Sequence, residues 1–279
     1  MQDVFAYCAE LVRAADRDRF IASLFAPADR RGALHALYAF NSEVARVRDI
    51  AHAPLPGEIR LQWWSEVIQG ERDAEAQANP VASALLTTIE RHRLAPARLT
   101  DLIEARRFDL YDDAMAGLAE LESYAARTSS SLFALAGQVL TGVDSEAVAK
   151  PAGIAHGIAG LLRAFPLHAS RGQLYLPTEL LERHQVRPHD VFAGRSSPGL
   201  AAALAELRHL ARRHLAAAKA SMAMLPPEAL PALLPLALVR PLLARMERRD
   251  PFAPAEIPPW RRQWLIWRAA RNPARITGE

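Results

Sequence analysis

The chain has 279 residues, 51% of them hydrophobic and 23% charged, the balance of an ordinary globular protein long enough to bury a sizeable core. A formal net charge of +3, with arginines spread along the chain and no zinc-finger or aromatic-basic motif beside them, argues against a nucleic-acid partner. The single cysteine, Cys8, rules out an intrachain disulfide and reads as a small apolar core residue.

Apolar residues recur at intervals of three and four, and no alternating β-branched run interrupts them, so the predicted fold class is all-α. The opening stretch, Met1 to Phe20, lacks a basic n-region followed by a long apolar run. No charge-free apolar stretch reaches the roughly 18 residues of a membrane span, and the expected compartment is the cytoplasm. Pro27-Ala28-Asp29 opens a predicted helix running to about Asp49. After the Ala53–Gly57 loop a helix holds Trp63 and Trp64, and Asn79-Pro80 starts another that runs to about Arg93. Ala95-Pro96 precedes a helix predicted to carry Asp109, Asp112 and Asp113. A long apolar helix spans about Leu118 to Leu140, capped by Thr141-Gly142, and another runs from about Ser145 to Pro166. Pro177 and Pro188 bracket a short helix. Ser196-Ser197-Pro198-Gly199 leads into an amphipathic helix ending near Leu225, and prolines 231 and 235 interrupt the next. A Pro-rich stretch to Pro259 ends in a helix whose Trp260, Trp264 and Trp267 share one face, at i, i+4 and i+7. That face reads either as packed core or as a membrane-interface or partner surface. No linker is long enough to separate two cores, so residues 1–279 are expected to form a single helical domain.

Three segments carry a family resemblance. They are Arg31 to Asp49 with its Leu37-Tyr38-Ala39-Phe40 core, Asp101 to Leu110, and Gly157 to Pro177 with its Leu162-Arg163 and Tyr175-Leu176-Pro177. In order and spacing they resemble the signatures of the squalene/phytoene synthase superfamily. That resemblance implies an isoprenoid-synthase-type helical bundle around a central cavity. In such enzymes Mg²⁺ bridges a prenyl diphosphate to aspartates on two facing helices, and the cations neutralise the leaving group. Here the aspartate positions of the first signature fall on Ala45 and Arg46, leaving only Asp49, and those of the second fall on Ala164, Leu167 and His168. Such faces cannot hold Mg²⁺, so no catalytic residue, metal or cofactor is expected.

A narrower resemblance rests on Ala36 to Asp49, Arg60 to Trp64, Tyr124 to Ser131 and Leu162 to Arg171. It is to a mitochondrial complex I (NADH dehydrogenase) assembly factor subfamily that also lacks the Asp-rich motifs. It implies a non-catalytic protein whose partners are complex I subunits, with a peripheral position on the inner membrane. The residues left as vestigial cavity or anion-binding candidates are Arg46, Asp49, Asp109, Asp113, Arg163, His168, Arg171 and Tyr175. Glu43, Arg46 and Asp49 share a helix face and read as an intrahelical ion pair, or, with Arg163 and Arg171, Arg46 forms an anion pocket. Asp109 and Asp113, at i, i+4, read as a residual cation site or as a face paired to Arg106 and Arg107. His156 and His168 read as core or rim groups. Two further readings stand beside the first. One is a divergent Mg-dependent prenyl diphosphate synthase using Asp49, Asp109 and Asp113, and the other is a carrier of an isoprenoid lipid such as a quinone.

Overall fold

Caps and prolines cut the chain into helices where their chemistry requires it. The computed structural model describes residues 3–51 and 53–278. Asp3 accepts from the Phe5 amide to open α1 (Val4–Ala15), and Asp16 accepts from the Arg19 amide to open α2 (Arg17–Ser23). Next come α3 (Ala28–Ala45) and the single-turn α4 (Val47–Ile50). Prolines in the first turn start α5 (Pro54–Gln69), α7 (Pro80–His92) and α8 (Pro96–Arg106), and α6 (Asp73–Ala78) lies between. α9 (Leu118–Ala125) runs through a π-helical turn, Ala126–Ser130, into α10 (Ser131–Thr141). α11 (Glu146–Ser170) is followed by the short α12 (Thr178–Arg183) and α13 (Pro188–Phe192) and the long α14 (Pro198–Ser221). The remainder is α15 (Leu230–Leu233), α16 (Val239–Met246) and α17 (Pro259–Arg271). The described residues contain no strand.

Three expectations are corrected. The helix from Pro27 does not continue to Asp49: it breaks at Arg46, whose φ of −98° and ψ of 5° leave the helical region. Glu43, Arg46 and Asp49 therefore do not pair along one face. Glu43 instead accepts from Arg60 of α5 at 2.9 Å and Asp49 from Arg171 at 2.5 Å. The helix from Pro96 stops at Arg106 and tightens into a 3₁₀ turn, Arg107–Leu110. Asp112 and Asp113 lie beyond it on exposed, non-helical chain, so Asp109 and Asp113 do not share a helix face. Finally, Ala53–Gly57 is not a loop: Pro54 opens α5, and Gly57 is buried within it. Among the described residues Pro227–Met246 is long and apolar enough to cross a membrane by length and composition, but 67% of its apolar 18-residue window is buried inside the bundle, where it serves the core.

Two apolar clusters fill the interior. One gathers residues of α11, α14, α16 and α17, and the other those of α1, α3, α5, α7, α8 and α10. α11 packs on α14 and, on another side, on α10 and the π turn. That second approach depends on Gly153, because a Cβ there would lie 2.2 Å from the Ser130 Cα. Ser130 uses the closeness to donate its hydroxyl to the Lys150 carbonyl at 2.7 Å. α11 is thereby fixed between both halves of the core, and its remaining side faces open space.

Candidate functional site

The cavity-facing side of α11 carries Ala159, Gly160, Ala164 and Leu167, and the small members leave a cavity of about 580 Å³. A Cβ built on Gly160 meets nothing within 4 Å, which places that residue on the void. Pro235, Leu238, Val239 and Leu242 form the facing apolar wall. One end is polar, built from the α1–α2 junction, Asp16 to Arg19, with His156, Arg163, Glu256 and Arg262. An apolar chamber with a charged end suits a ligand with a long apolar body and a polar or anionic head.

Most of those charges are already paired. Asp16 caps α2 and accepts from Arg19 Nη1 at 2.6 Å. Burial pushes the Asp16 carboxyl up, but the Arg19 charge and hydrogen bonds outweigh burial and hold it below the usual carboxylate range. The Arg19 guanidinium stands over the Tyr38 and Phe133 rings, 5.7 and 5.8 Å from their centroids. His156 meets Phe133 edge-on, and burial together with the Arg19 charge drives its protonation well below the ordinary histidine value. It is neutral at pH 7. Asp18 accepts from Arg262 of α17, tying the last long helix to the second. Arg17 and Arg163 have no hydrogen bond or ion pair among the described residues, so the cavity keeps a net positive rim.

A second cluster lies where two of the signatures meet. The buried Asp109 Oδ1 accepts from the Tyr124 and Tyr175 hydroxyls, both at 2.8 Å, and its Oδ2 accepts from Arg106 Nη1 at 3.0 Å. Arg106 also donates to the Tyr124 oxygen at 2.8 Å. Burial, then the Asp109 charge, raises both tyrosines far above their ordinary range. Both stay protonated and donate to Asp109, and both carboxylate oxygens are engaged. The backbone is fastened to the same place, since the Asp109 carbonyl accepts from Arg48 at 2.9 Å. His168 rests against the Tyr175 ring, 4.6 Å between centroids, with its protonation lowered by burial. The space beside this pair is closed to about 10 Å³ by Leu161, Leu162, Phe165 and Leu207.

The sequence candidates therefore separate. Asp109, Tyr175 and His168 come together in the closed cluster. Arg163 lies on the open cavity. Asp49 and Arg171 pair with one another, half exposed. Arg46 is exposed and without an ionic partner among the described residues, and Asp113 is exposed on the loop. Among the described residues no group of three or more His, Cys, Asp and Glu side chains is placed to hold a metal. The Mg²⁺ sites of a prenyl synthase do not fit these residues: Ala45, Arg46, Ala164, Leu167 and His168 stand where carboxylates would be needed, and Asp49 is already held by Arg171.

The squalene/phytoene synthase family model matches residues 12–268. The chain belongs to the squalene/phytoene synthase family. Within it, the chain is 32% identical over 250 residues to a rat protein named NADH dehydrogenase (ubiquinone) complex I, assembly factor 6, covering 89% of this chain and 75% of that one. It is 24% identical over 211 residues to a 15-cis-phytoene synthase of Synechocystis, covering 70% and 61% respectively. Among solved structures, a dehydrosqualene synthase in complex with ligand superposes with a TM-score of 0.84 at 18% identity, covering 97% of this chain and 96% of that one. A squalene synthase from Alicyclobacillus acidocaldarius follows at 0.77 and 22%, covering 90% and 95%. The isoprenoid-synthase-type bundle expected from the signatures is thus the fold of this chain.

Several polar residues of this squalene/phytoene synthase family member escaped the sequence reading. Asp16 to Arg19 lie in the opening stretch to Phe20, which was read only for its lack of a basic n-region and apolar run, and Arg262 was given no role. Tyr124 sat inside a quoted motif without a role. A signal existed for Asp16, an Asp-x-x-Arg pattern at a helix start. None existed for Arg262, whose partner is 244 residues away.

Proposed function

We propose that this squalene/phytoene synthase-like protein is non-catalytic and supports the assembly of respiratory complex I, acting by binding a protein or a lipid. One observation carries the non-catalytic part. The acids an enzyme would need are engaged elsewhere or scattered, with Asp109 saturated by Tyr124, Tyr175 and Arg106, Asp49 held by Arg171, and Asp113 on the loop. Metal-assisted ionisation of a prenyl diphosphate needs opposed carboxylates free to take Mg²⁺. The assembly part rests on likeness to the mammalian assembly factors.

The test has two arms. Purified protein is given farnesyl or geranylgeranyl diphosphate with Mg²⁺, and diphosphate release is measured against a boiled blank. No release is expected; turnover lost on Asp49→Ala would replace the proposal with a divergent synthase. Deletion of the gene is expected to lower assembled complex I and its NADH oxidation, and unchanged levels would refute the assembly role. A second reading, carriage of an isoprenoid lipid such as a quinone, is favoured by the open apolar cavity with Arg17 and Arg163 at its charged end. Native mass spectrometry should then find a hydrophobic ligand co-purifying with the protein.

A further inference from the structure

α17 is amphipathic in an unusual sense. Its inner side, Leu265, Ile266 and Ala269, is buried in the core, and Arg262 on that side pairs with Asp18. Its outer side presents Trp260, 69% exposed, Trp264, 44%, and Trp267, 47%. Three indoles on one solvent-facing helix stripe are more apolar surface than folding explains. Arg261, Arg268 and Arg271 lie on or beside the stripe, and α17 contains no acidic residue. Two of these arginines are stacked on the tryptophans themselves, Arg268 at 4.4 Å from the Trp264 ring centroid and Arg271 at 5.3 Å from that of Trp267. The guanidiniums are thus held at the level of the indoles, where a planar anionic surface would meet both.

We propose that the outer face of α17 is the surface by which this protein sits on an anionic lipid bilayer. Indole rings settle at the headgroup boundary, with the ring body among the acyl chains and the N–H in the wet layer. The stacked arginines reach lipid phosphates at the same depth, and a phosphate accepts two guanidinium donors at once. The absence of acids from α17 removes the repulsion that would oppose a negatively charged leaflet. A soluble protein partner would be expected to offer acids to the arginines and a pocket to each indole. A bilayer asks only for the flat, mixed apolar and cationic stripe seen here. The opposite side of the same helix supplies Arg262 to the cavity end, so a surface-bound molecule would hold its cavity within one helix diameter of the lipid.

The experiment is co-sedimentation of the full chain with vesicles of phosphatidylcholine alone, and of phosphatidylcholine with a third phosphatidylglycerol, at low and high salt. Binding to the anionic vesicles is expected to exceed that to neutral ones by about tenfold or more, and to weaken with salt. Trp260→Ser/Trp264→Ser/Trp267→Ser should abolish it, with circular dichroism and the thermal midpoint reporting that the variant is folded. Arg268→Gln/Arg271→Gln should reduce anionic binding while leaving any weak neutral binding intact. Quenching by brominated lipid should be strong in the parent and lost in the triple variant, since Trp64 is buried and Trp63 lies on a different helix. Failure to pellet with anionic vesicles overturns the proposal. So does equal binding by the folded triple variant, or a Trp-dependent dimer in place of lipid binding.

Discussion

Replacement of Asp109 by Ala removes the acceptor of three hydrogen bonds, from Tyr124, Tyr175 and Arg106. The loss leaves a mostly buried guanidinium without its carboxylate, with 20% of the Arg106 side chain exposed. Breaking one side of a buried ion pair costs about 3–5 kcal/mol. Two stranded tyrosine hydroxyls add to this, but the Tyr124 oxygen still accepts from Arg106, and water can enter the space vacated by the carboxylate. The expected destabilisation is about 4 kcal/mol, read as a lower urea midpoint at unchanged slope, or as a thermal midpoint lower by about 10 °C. Asp109→Asn keeps the shape and leaves an oxygen for the two tyrosines but turns an amide donor toward the Arg106 guanidinium, which can only donate, and should cost about half as much. The pairwise coupling is separable. In an Arg106→Leu background the uncompensated charge is gone, and Asp109→Ala should cost at least about 1 kcal/mol less. A folded Asp109→Ala protein within about 1 kcal/mol of the parent would refute the claim that this carboxylate is structural, and would reopen it as a site residue.

Other outcomes follow from the same geometry. Asp49→Ala should change stability by less than about 1 kcal/mol, because its bond to Arg171 is half exposed and screened; an urea titration of the two proteins decides it. Gly153→Ala should cost about 2 kcal/mol or more, since its Cβ would meet the Ser130 backbone and must push α11 off the π turn. For acid stability, His156 protonates in the native state only well below its unfolded value of 6.5, so the unfolded chain binds the extra proton first. Stability is then full above that value and falls as pH drops beneath it. His156 alone removes about 2 kcal/mol on going from about pH 7 to about pH 5, and His156→Gln should flatten that part of the curve. His35 and His168, also lowered by burial, steepen the same window.

Most helix starts were legible because proline and polar caps act locally: Pro80, Pro96, Pro198 and Pro259 all stand in first turns, whereas Pro54, read as part of a loop, itself opens α5. The helix ends were less so. Arg46 looks like a helix residue, and only tertiary partners decide that Glu43 turns to Arg60 and Asp49 to Arg171. The same holds at Arg106, where the tight turn that follows is fixed by the Tyr124 and Tyr175 hydroxyls drawing Asp109 inward. The lost carboxylates at Ala45, Ala164 and Leu167 needed no structure to be noticed. What replaced them did, because Arg17 and Arg163 become a pair only when α2 and α11 face one cavity.

Gly160 gives that cavity a handle. It sits in the middle of a long helix whose other sides are committed to packing, and the space beside it is empty. A side chain there would start into the void, its Cβ meeting nothing, and it would replace a helix-weakening residue with a better one. Gly160→Phe is accordingly expected to act as a plug directed into the cavity, with an unchanged thermal midpoint showing that the core is undisturbed. A cell carrying the plugged protein separates two ways of working: a chaperone that acts by its outer face would not notice the change, while a carrier would fall silent.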